Sequence, residues 1–383
     1  MRDVSGDSYA RLRNIADALT ALLRDRGYGP LDTPLLEDTE LFVRKSGGEL
    51  TSRLYTFVDP GGNRVSLRPE FTSSVIRHFV QEGGTSDGPV RWQYHGPVFR
   101  YEHGANGGHR QSTQVGAELI GASGADADAE VLSLAWEGLA TIGLDGHRMR
   151  VGHVGVLMDL VRSYGLSESA SLFIIRNVPD LKRGAVDAAG LVQRAQDVGL
   201  LGARPGMTVA DDLSSDGQRS AREYIQVVLA GTASSPMGRR SPEQIVDRLM
   251  RKVAQADSTE SFQDAASLMA DLVKDEGSPE TVLDAVRRTA AGRMDVGSAL
   301  ADLERLCDGL VQRGVDESRL VLDLGLVREI AYYTGVIFEI GGPSQPSLCG
   351  GGRYDGLIRA MGGDNTPALG FAYTVENLVE ATA

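Results

Sequence analysis

Cysteine is scarce in this chain of 383 residues: only Cys307 and Cys349 occur, far apart in the sequence. Two distant cysteines argue against a disulfide framework and a cysteine zinc site, and they fit a reducing compartment. No apolar run approaches the roughly 18 residues of a membrane span. The first residues, MRDVSGDSYARLRN, lack the apolar core of a secretory signal. We therefore expect a cytoplasmic protein without membrane association.

Positive charge is also in short supply. The net charge of −13 disfavours a general nucleic-acid binder, because phosphate contacts need a surplus of Lys and Arg. No G-x-x-x-x-G-K-[ST] loop is present, and the segment CGGGRYDG does not fit G-x-G-x-x-G. The pentapeptide GTSDG at 84–88 matches G-x-S-x-G, but Pro89 follows it and no helix begins there, unlike a nucleophile elbow. The six histidines show no metal-ligand spacing, so we expect neither a metal nor a cofactor.

Two regions of different character make up the sequence. The outer parts mix strand and helix patterns, which predict a helix at 8–26, a hairpin around 59–63, a helix at 69–83 and a hairpin with arms 90–102 and 111–121. From about Gly165 to Val315 aromatic residues nearly vanish, and helical periods alternate with Gly or Pro breaks. We therefore expect an α+β core formed by residues 1–164 and 316–383, with a helical insertion at 165–315.

The run TQVGAELI predicts a polar strand face. Residues two apart in a strand share a face, so Gln114, Gly116 and Glu118 point the same way. An amide and a carboxylate flanking a glycine would form a polar floor, with room above the glycine. The alternative is an ordinary solvent-exposed strand face.

Other charged and aromatic residues are weaker candidates. Arg100 shares a face with Glu102 and could meet an anion, although exposed ion pairs of this kind are common. Glu70 stands at the mouth of a helix, where it could equally satisfy the helix dipole. Tyr332 and Tyr333 are adjacent in a predicted strand, so at most one of them should face a given pocket.

The order of these stretches along the chain is more specific than any one of them. The chain resembles the histidyl-tRNA synthetases over roughly residues 8–160 and 318–383, through the collinear motifs LFVRKSGG, LYTFVD, LRPEFT, VFRYEHGANGGHRQSTQVGAELIG, LVREIAYYTGVIFE, CGGGRYDGLI and TPALGFAYTVEN. The resemblance implies a class II aminoacyl-tRNA synthetase-like α+β fold, with an antiparallel sheet flanked by helices. It also implies a dimer formed through the first motif.

The resemblance assigns roles to individual positions. It implies that the amino group and ring of histidine are held by Glu70, Thr72, Gln114 and Glu118, with Tyr332 or Tyr333 covering the ring. Arg328 matches an arginine that is characteristic of the histidine enzymes, and Arg100 matches the arginine that grips the ATP α-phosphate. The shared face of Gln114 and Glu118 agrees with this, because an amide and a carboxylate together can satisfy an ammonium and an imidazole.

Departures from the family pattern fall in two motifs. Thr374 to Asn377 stands where the family has Gly-x-Glu-Arg, so the neutral amide of Asn377 replaces the cation that clamps the ATP γ-phosphate. Losing such a charge-assisted contact weakens triphosphate binding. The family's Arg-Gly-Leu-Asp-Tyr-Tyr reads Arg-Glu-Ile-Ala-Tyr-Tyr here. Because Ala383 ends the sequence shortly after Asn377, we expect no anticodon-binding domain and no tRNA partner.

These departures make the chain similar to the regulatory subunits of ATP phosphoribosyltransferase, the first enzyme of histidine biosynthesis. The similarity implies a non-catalytic subunit that activates the short catalytic subunit in a hetero-octamer and transmits feedback inhibition by L-histidine. We therefore expect that the chain is not an enzyme, and that Arg100 and Asn377 form a vestigial ATP site. An effector of this kind must bind two assembly states with different affinity.

Two alternatives remain open. A histidine-activating ligase, or a truncated synthetase-like enzyme, is favoured by Arg100 and disfavoured by Asn377 and Ala331. A scaffold that kept the fold and lost ligand binding is the other. The sequence does not indicate which surface meets the catalytic subunit, what the insertion does, whether ATP still binds, or whether histidine binds in this pocket or between subunits.

Overall fold

The structure, a computed structural model, describes residues 3–43, 51–84, 88–101, 110–201, 257–291, 297–326, 332–342 and 347–382. The chain divides into two compact units. The first consists of Met1–Leu157 and Leu272–Ala383, and the second of Met158–Asp271.

The first unit contains all the strands described. They are β1 (Gly29–Pro30), β2 (Leu36–Asp38), β3 (Thr56–Val58), β4 (Arg64–Leu67), β5 (Val90–Phe99), β6 (Gln111–Ile120), β7 (Arg148–His153), β8 (Glu276–Gly277), β9 (Leu320–Asp323), β10 (Val336–Gly341), β11 (Cys349–Arg353) and β12 (Ala368–Thr374). Nine of them form one sheet in the order β1-β5-β6-β12-β11-β10-β7-β9-β8, and the other three form a small sheet in the order β2-β4-β3.

The helices are α1 (Gly6–Asp25), α2 (Thr39–Val43), α3 (Thr72–Gln81), α4 (Ala125–Thr141), α5 (Val154–Arg162), α6 (Glu168–Arg176), α7 (Val178–Lys182), α8 (Ala188–Asp197), α9 (Thr259–Leu272), α10 (Pro279–Ala290), α11 (Gly297–Gln312), α12 (Leu357–Ala360) and α13 (Val375–Ala381). In the first unit, α1 and α4 pack against the central strands, and α11 packs against α4. The short helix α13 follows β12 directly and packs on α1.

The predicted α+β fold, a sheet flanked by helices, is confirmed. The first helix begins at Gly6, directly after the extended residue Ser5, and its apolar face buries Ala16, Leu19 and Leu23. The large sheet is mixed rather than purely antiparallel, since β1 runs parallel to β5 and β7 runs parallel to β9. The strands between these pairs are antiparallel neighbours.

Both predicted hairpins are present. In the first, β3 pairs with β4, and the Asp59 carboxylate accepts a hydrogen bond from the Asn63 backbone N–H across the turn. In the second, β5 pairs with β6 along ten residues. Within this ladder Tyr94 lies opposite Gly116, a pairing that matters for the site described below.

The second unit is helical over its described residues, apart from one isolated bridge between Leu201 and Asp257. Two of its helices start at side-chain caps, as their sequences favour. Ser167 accepts from the Ala170 N–H at the start of α6, and Asp187 accepts from the Gly190 N–H at the start of α8. The boundaries 165 and 315 for the insertion remain a prediction. By contacts the second unit spans 158–271, and α10 and α11 lie in the first unit.

Candidate functional site

A cavity of about 660 Å³ opens on the large sheet of the first unit. Strands β6, β11 and β12, the start of α3 and the start of α13 contribute to its wall. It brings together seven residues that the sequence singled out: Glu70, Thr72, Arg100, Gln114, Tyr332, Tyr333 and Asn377. Residues from three distant stretches of the chain therefore meet in one site.

Glu118 lies beneath this cavity and is fully buried. Its Oε1 accepts a hydrogen bond from the Thr72 hydroxyl at 2.7 Å and another from the Tyr94 hydroxyl at 3.2 Å. Its Oε2 accepts from the Tyr354 hydroxyl. Thr72, Tyr94 and Tyr354 are all among the residues that line the cavity. We call Glu118, Thr72, Tyr94 and Tyr354 the hydroxyl floor.

Two glycines make room for this arrangement. Gly370 lies opposite Glu118 in the β6–β12 ladder, and a Cβ at Gly370 would stand 1.6 Å from Glu118 Oε2. A Cβ at Gly116 would stand 2.5 Å from the Tyr94 Oη. The expectation of open room above Gly116 is therefore wrong, because the Tyr94 ring fills that space. The missing side chain at Gly116 leaves room for the ring of Tyr94.

Burial dominates the electrostatics of the hydroxyl floor. It raises the pKa of Glu118 to about 7, and the hydroxyl donors of Tyr354 and Thr72 oppose the rise. Burial, reinforced by the Glu118 carboxylate, also raises the pKa of Tyr94 and of Tyr354 well above the ordinary value. Both tyrosines therefore remain protonated and able to donate at neutral pH.

Glu70 serves the helix that it precedes. Its two carboxylate oxygens accept hydrogen bonds from the Ser73 backbone N–H, both at 3.1 Å, at the first turn of α3. Burial raises its pKa, while these hydrogen bonds and the charge of Arg100 act in the opposite direction. The sequence predicted that Glu70 could interact with the start of a helix, and the structure has this contact. Because Glu70 also lines the cavity, a ligand cation can approach the same carboxylate.

Tyr332 and Tyr333 both line the cavity, which corrects the expectation that at most one could. The expectation assumed a strand, but β10 begins only at Val336, so the strict alternation of a strand does not apply to them. Their ring centroids lie 5.1 Å apart, and the Tyr332 ring meets the Tyr354 ring edge-on at 5.5 Å. The three rings form an aromatic wall beside the hydroxyl floor.

Charged and amide side chains also line the cavity. Arg100 lines it, and its Nε donates to the Pro69 carbonyl at 2.8 Å. The Asn377 Nδ2 donates to the Ser347 carbonyl at 2.8 Å, which ties α13 to the segment before β11. Arg150, with a side chain 42% exposed, pairs with Glu339 at 3.1 Å. We call the set of Arg100, Arg150, Glu339 and Asn377 the charged end of the cavity lining.

Tyr94 and Tyr354 are the site residues that the sequence reasoning missed. Tyr94 stacks on Phe71 at 4.3 Å between ring centroids, and the Arg68 guanidinium covers the Phe71 ring. A signal for Tyr94 existed in the glycine at 116, since a glycine opposite an aromatic in a ladder leaves space for the ring. Using that signal requires the strand register, which the sequence does not supply.

A buried ion pair holds the residue before Tyr354. Arg353 Nε donates to Asp128 Oδ1 at 2.8 Å, and both side chains are almost fully buried. Burial raises the pKa of Asp128 to about 6, and the charge of Arg353 opposes the rise. The pair joins β11 to α4, so the backbone that presents Tyr354 is fixed from the far side of the sheet.

Arg328, the remaining predicted site residue, lies outside the described residues, as does Glu102. Within the described ranges, no group of three or more His, Cys, Asp and Glu side chains is placed to hold a metal ion. Over the same ranges, no helix is long and apolar enough to cross a membrane.

Comparison with known proteins gives the family. The family model for histidyl-tRNA synthetase matches residues 1–203 and 225–378. The histidine–tRNA ligase of Methanocaldococcus jannaschii is 29% identical over 379 residues, which are 99% of this chain and 73% of that protein. The ligase of Methanococcus vannielii is 30% identical over 377 residues, covering 96% of this chain and 70% of that protein.

Solved structures agree on the fold. A protein from Bacillus halodurans C, described as an ATP phosphoribosyltransferase regulatory subunit/histidyl-tRNA synthetase, matches with a TM-score of 0.70 and 24% identity, covering 100% of this chain and 82% of that one. A histidine–tRNA ligase subunit from Alicyclobacillus acidocaldarius matches with a TM-score of 0.59 and 27% identity, covering 100% of this chain and 95% of that one. The class II synthetase-like fold expected from the motifs is confirmed.

These relatives overturn one expectation. We expected that the chain is not an enzyme, but its curated relatives are histidine–tRNA ligases, which are enzymes. That expectation depended in part on the substitution at Asn377, which changes one group of a cavity that six other predicted residues also line. The family model covers most of the sequence, and the chain belongs to the histidyl-tRNA synthetase family.

Proposed function

We propose that the chain binds L-histidine at the hydroxyl floor of the cavity. The supporting observation is the buried Glu118 carboxylate beneath the hydroxyl groups of Thr72, Tyr94 and Tyr354. An ammonium and an imidazole are N–H donors, and these oxygens together with the carboxylate of Glu70 and the amide of Gln114 are the acceptors that they need. The aromatic wall of Tyr332, Tyr333 and Tyr354 suits a flat ring.

We further propose that histidine occupancy of this cavity is regulatory, and that the chain acts as a regulatory subunit of ATP phosphoribosyltransferase. In this role it forms a dimer through its synthetase-like core, activates the short catalytic subunit in a hetero-octamer in the cytoplasm, and transmits feedback inhibition by L-histidine without tRNA. The description of the Bacillus halodurans C protein supports the proposal. The amide of Asn377, bonded to the Ser347 carbonyl, also supports it, because a neutral group replaces a phosphate-binding cation there.

Reconstitution tests the regulatory proposal. The full chain, added to a purified short-form phosphoribosyltransferase, should raise its rate, and L-histidine should suppress the gain. Glu118→Ala should reduce the histidine sensitivity more than the activation, because Glu118 lies at the proposed histidine site. Activation without any histidine effect, or no activation at all, would contradict the regulatory role.

A second candidate is histidine activation, the formation of a histidyl adenylate from ATP. Two observations favour it: Arg100 lines the same cavity as the hydroxyl floor, and the curated relatives are ligases. Histidine-dependent exchange of pyrophosphate into ATP is the direct assay. Exchange that needs L-histidine and is lost in Arg100→Ala would support activation, and absence of exchange at saturating ATP and histidine would exclude it.

A further inference from the structure

Tyr354 is held through its chain neighbours on both sides. Before it, the Arg353 guanidinium donates from Nε to Asp128 Oδ1 at 2.8 Å and from Nη1 to the Ala122 carbonyl at 3.1 Å. Asp128 lies in the first turn of α4, and Ala122 lies in the segment that leads into that helix. The end of β11 is therefore tied to α4 directly before Tyr354.

Asp355, directly after the tyrosine, is tied in a similar way. Its backbone N–H donates to the Thr334 hydroxyl at 3.0 Å. Its Oδ1 accepts hydrogen bonds from the Ala368 N–H and from Arg353 Nη1, both at 3.0 Å. The Thr334 N–H in turn donates to the Arg353 carbonyl at 2.8 Å. We call these four residues the clamp: Asp128, Thr334, Arg353 and Asp355.

The clamp lies outside the cavity lining. Although all four of its residues are described, none of them is among the residues that line the cavity, whereas Tyr354 is. The Tyr354 ring meets the Tyr332 ring edge-on, and its hydroxyl belongs to the hydroxyl floor. An effect of the clamp on a ligand must therefore be transmitted by residues that the clamp holds, and Tyr354 lies between two of its members.

The ion pair in the clamp is buried, with Asp128 only 5% and Arg353 only 6% exposed. Removing two charges from water costs about as much free energy as their attraction returns, so such a pair contributes little net stability. Its hydrogen bonds are directional, however, and they fix the position of the guanidinium more narrowly than an apolar contact would. These properties suit a pair that sets a local geometry.

We propose that Asp128 and Arg353 are positioning residues, which fix where the Tyr354 hydroxyl lies before a ligand arrives. This inference rests on the proposed histidine binding and extends it to residues outside the cavity lining. A tyrosine that is already in place loses less freedom when a ligand binds, which raises affinity without any new ligand contact. Disturbing Asp128 on α4 should therefore weaken histidine binding at a distance.

The test is a double-mutant cycle in the Kd for L-histidine at about pH 7.5, where the Asp128 carboxyl, with a pKa of about 6, is ionised. Asp128→Asn keeps an oxygen for Arg353 but removes the charge, and it should weaken binding about tenfold. Tyr354→Phe removes the hydroxyl that the clamp positions. In the Tyr354→Phe background, Asp128→Asn should change the Kd by less than about twofold, because the hydroxyl that it misplaces is absent.

Glu130→Gln is the matched control. Glu130 follows Asp128 by two residues on α4 but pairs with Arg91, so this variant should bind histidine with the wild-type Kd. Thr334→Val loosens the clamp at its other end by removing the hydroxyl that accepts from the Asp355 N–H. Because Thr334 is exposed, this variant should fold, and it should bind about threefold more weakly. The same cycle with Thr334→Val decides the question if Asp128→Asn does not fold.

The outcomes are distinct. A loss of affinity in Asp128→Asn that disappears in the Tyr354→Phe background supports the inference. Wild-type affinity in Asp128→Asn, or losses that multiply in the double variant, would overturn it while histidine binding stands. Absence of histidine binding by the wild-type chain would instead contradict the proposed function, and this inference with it.

Discussion

The two parts of the cavity are built differently. At the hydroxyl floor, the buried Glu118 carboxylate accepts hydrogen bonds from three hydroxyl groups, which the fold brings to it from distant parts of the sequence. At the charged end, the Arg150 side chain is 42% exposed and pairs with Glu339. The Asn377 amide there donates a hydrogen bond to the Ser347 carbonyl. A buried polar network tolerates few changes because each unpaired group is costly, whereas exposed ion pairs contribute little. Ligand selectivity should therefore reside at the floor.

The largest effect is expected where the floor has no spare volume. Gly370→Ala places a Cβ 1.6 Å from Glu118 Oε2, so either the β12 backbone or the carboxylate must move. We expect a loss of about 3 kcal/mol in the free energy of unfolding, together with loss of histidine binding. Urea denaturation and calorimetric titration measure the two effects.

Gly297→Ala is the matched control. Gly297 begins α11, and a Cβ there meets no atom within 4 Å. This variant should differ from the wild type by less than about 1 kcal/mol in stability and should bind histidine normally. Wild-type stability and binding in Gly370→Ala would show that the floor can rearrange, and the contrast between the two parts of the cavity would fail.

A smaller effect is expected from the titration of Glu118. Its pKa in the folded protein, about 7, is higher than the ordinary 4.5, so the folded state holds this proton more tightly than the unfolded chain. Between those values the free energy of unfolding contributed by Glu118 falls as pH rises, by at most about 1.4 kcal/mol per pH unit. In the absence of ligand, the wild type should therefore lose stability relative to Glu118→Gln between about pH 5 and about pH 7. A difference that stays constant over this range would contradict the buried, proton-binding carboxylate.

The smallest effect is expected at the charged end. Asn377→Ala removes the hydrogen bond from Nδ2 to the Ser347 carbonyl and leaves the floor untouched. We expect a stability loss of about 1 kcal/mol. The Kd for histidine should stay within about threefold of the wild-type value. A large loss of histidine affinity in this variant would mean that the two parts of the cavity are coupled.

Much of this site follows from sequence, and the parts that do not have physical reasons. The strand period placed Gln114 and Glu118 on one face, and the collinear motifs brought Glu70, Thr72, Arg100 and the tyrosine pair to the same cavity. The depth of Glu118 was not predictable, because it depends on Gly370 and Tyr94 lying opposite β6 residues in register. Register is a tertiary property that a single strand pattern does not contain.

Two further differences have the same origin. Tyr332 and Tyr333 both line the cavity because β10 begins only three residues after Tyr333, so the alternation of side chains along a strand does not extend to them. In the sequence, Tyr354 is one residue of a glycine-rich segment and has no distinguishing pattern of its own. Gly351 and Gly370 allow β11 and β12 to lie close together, and the Tyr354 hydroxyl donates a hydrogen bond to Glu118. This contact depends on strand pairing, which the sequence does not show.

Calorimetric titration of the wild-type chain with L-histidine at about pH 7.5 tests the central claim most directly. We predict saturable binding of one histidine per chain, weakened by about tenfold or more in Glu118→Gln and nearly unchanged in Asn377→Ala. No binding up to about 1 mM histidine, an affinity limit of about 4 kcal/mol, would contradict the claim that this cavity is a histidine site.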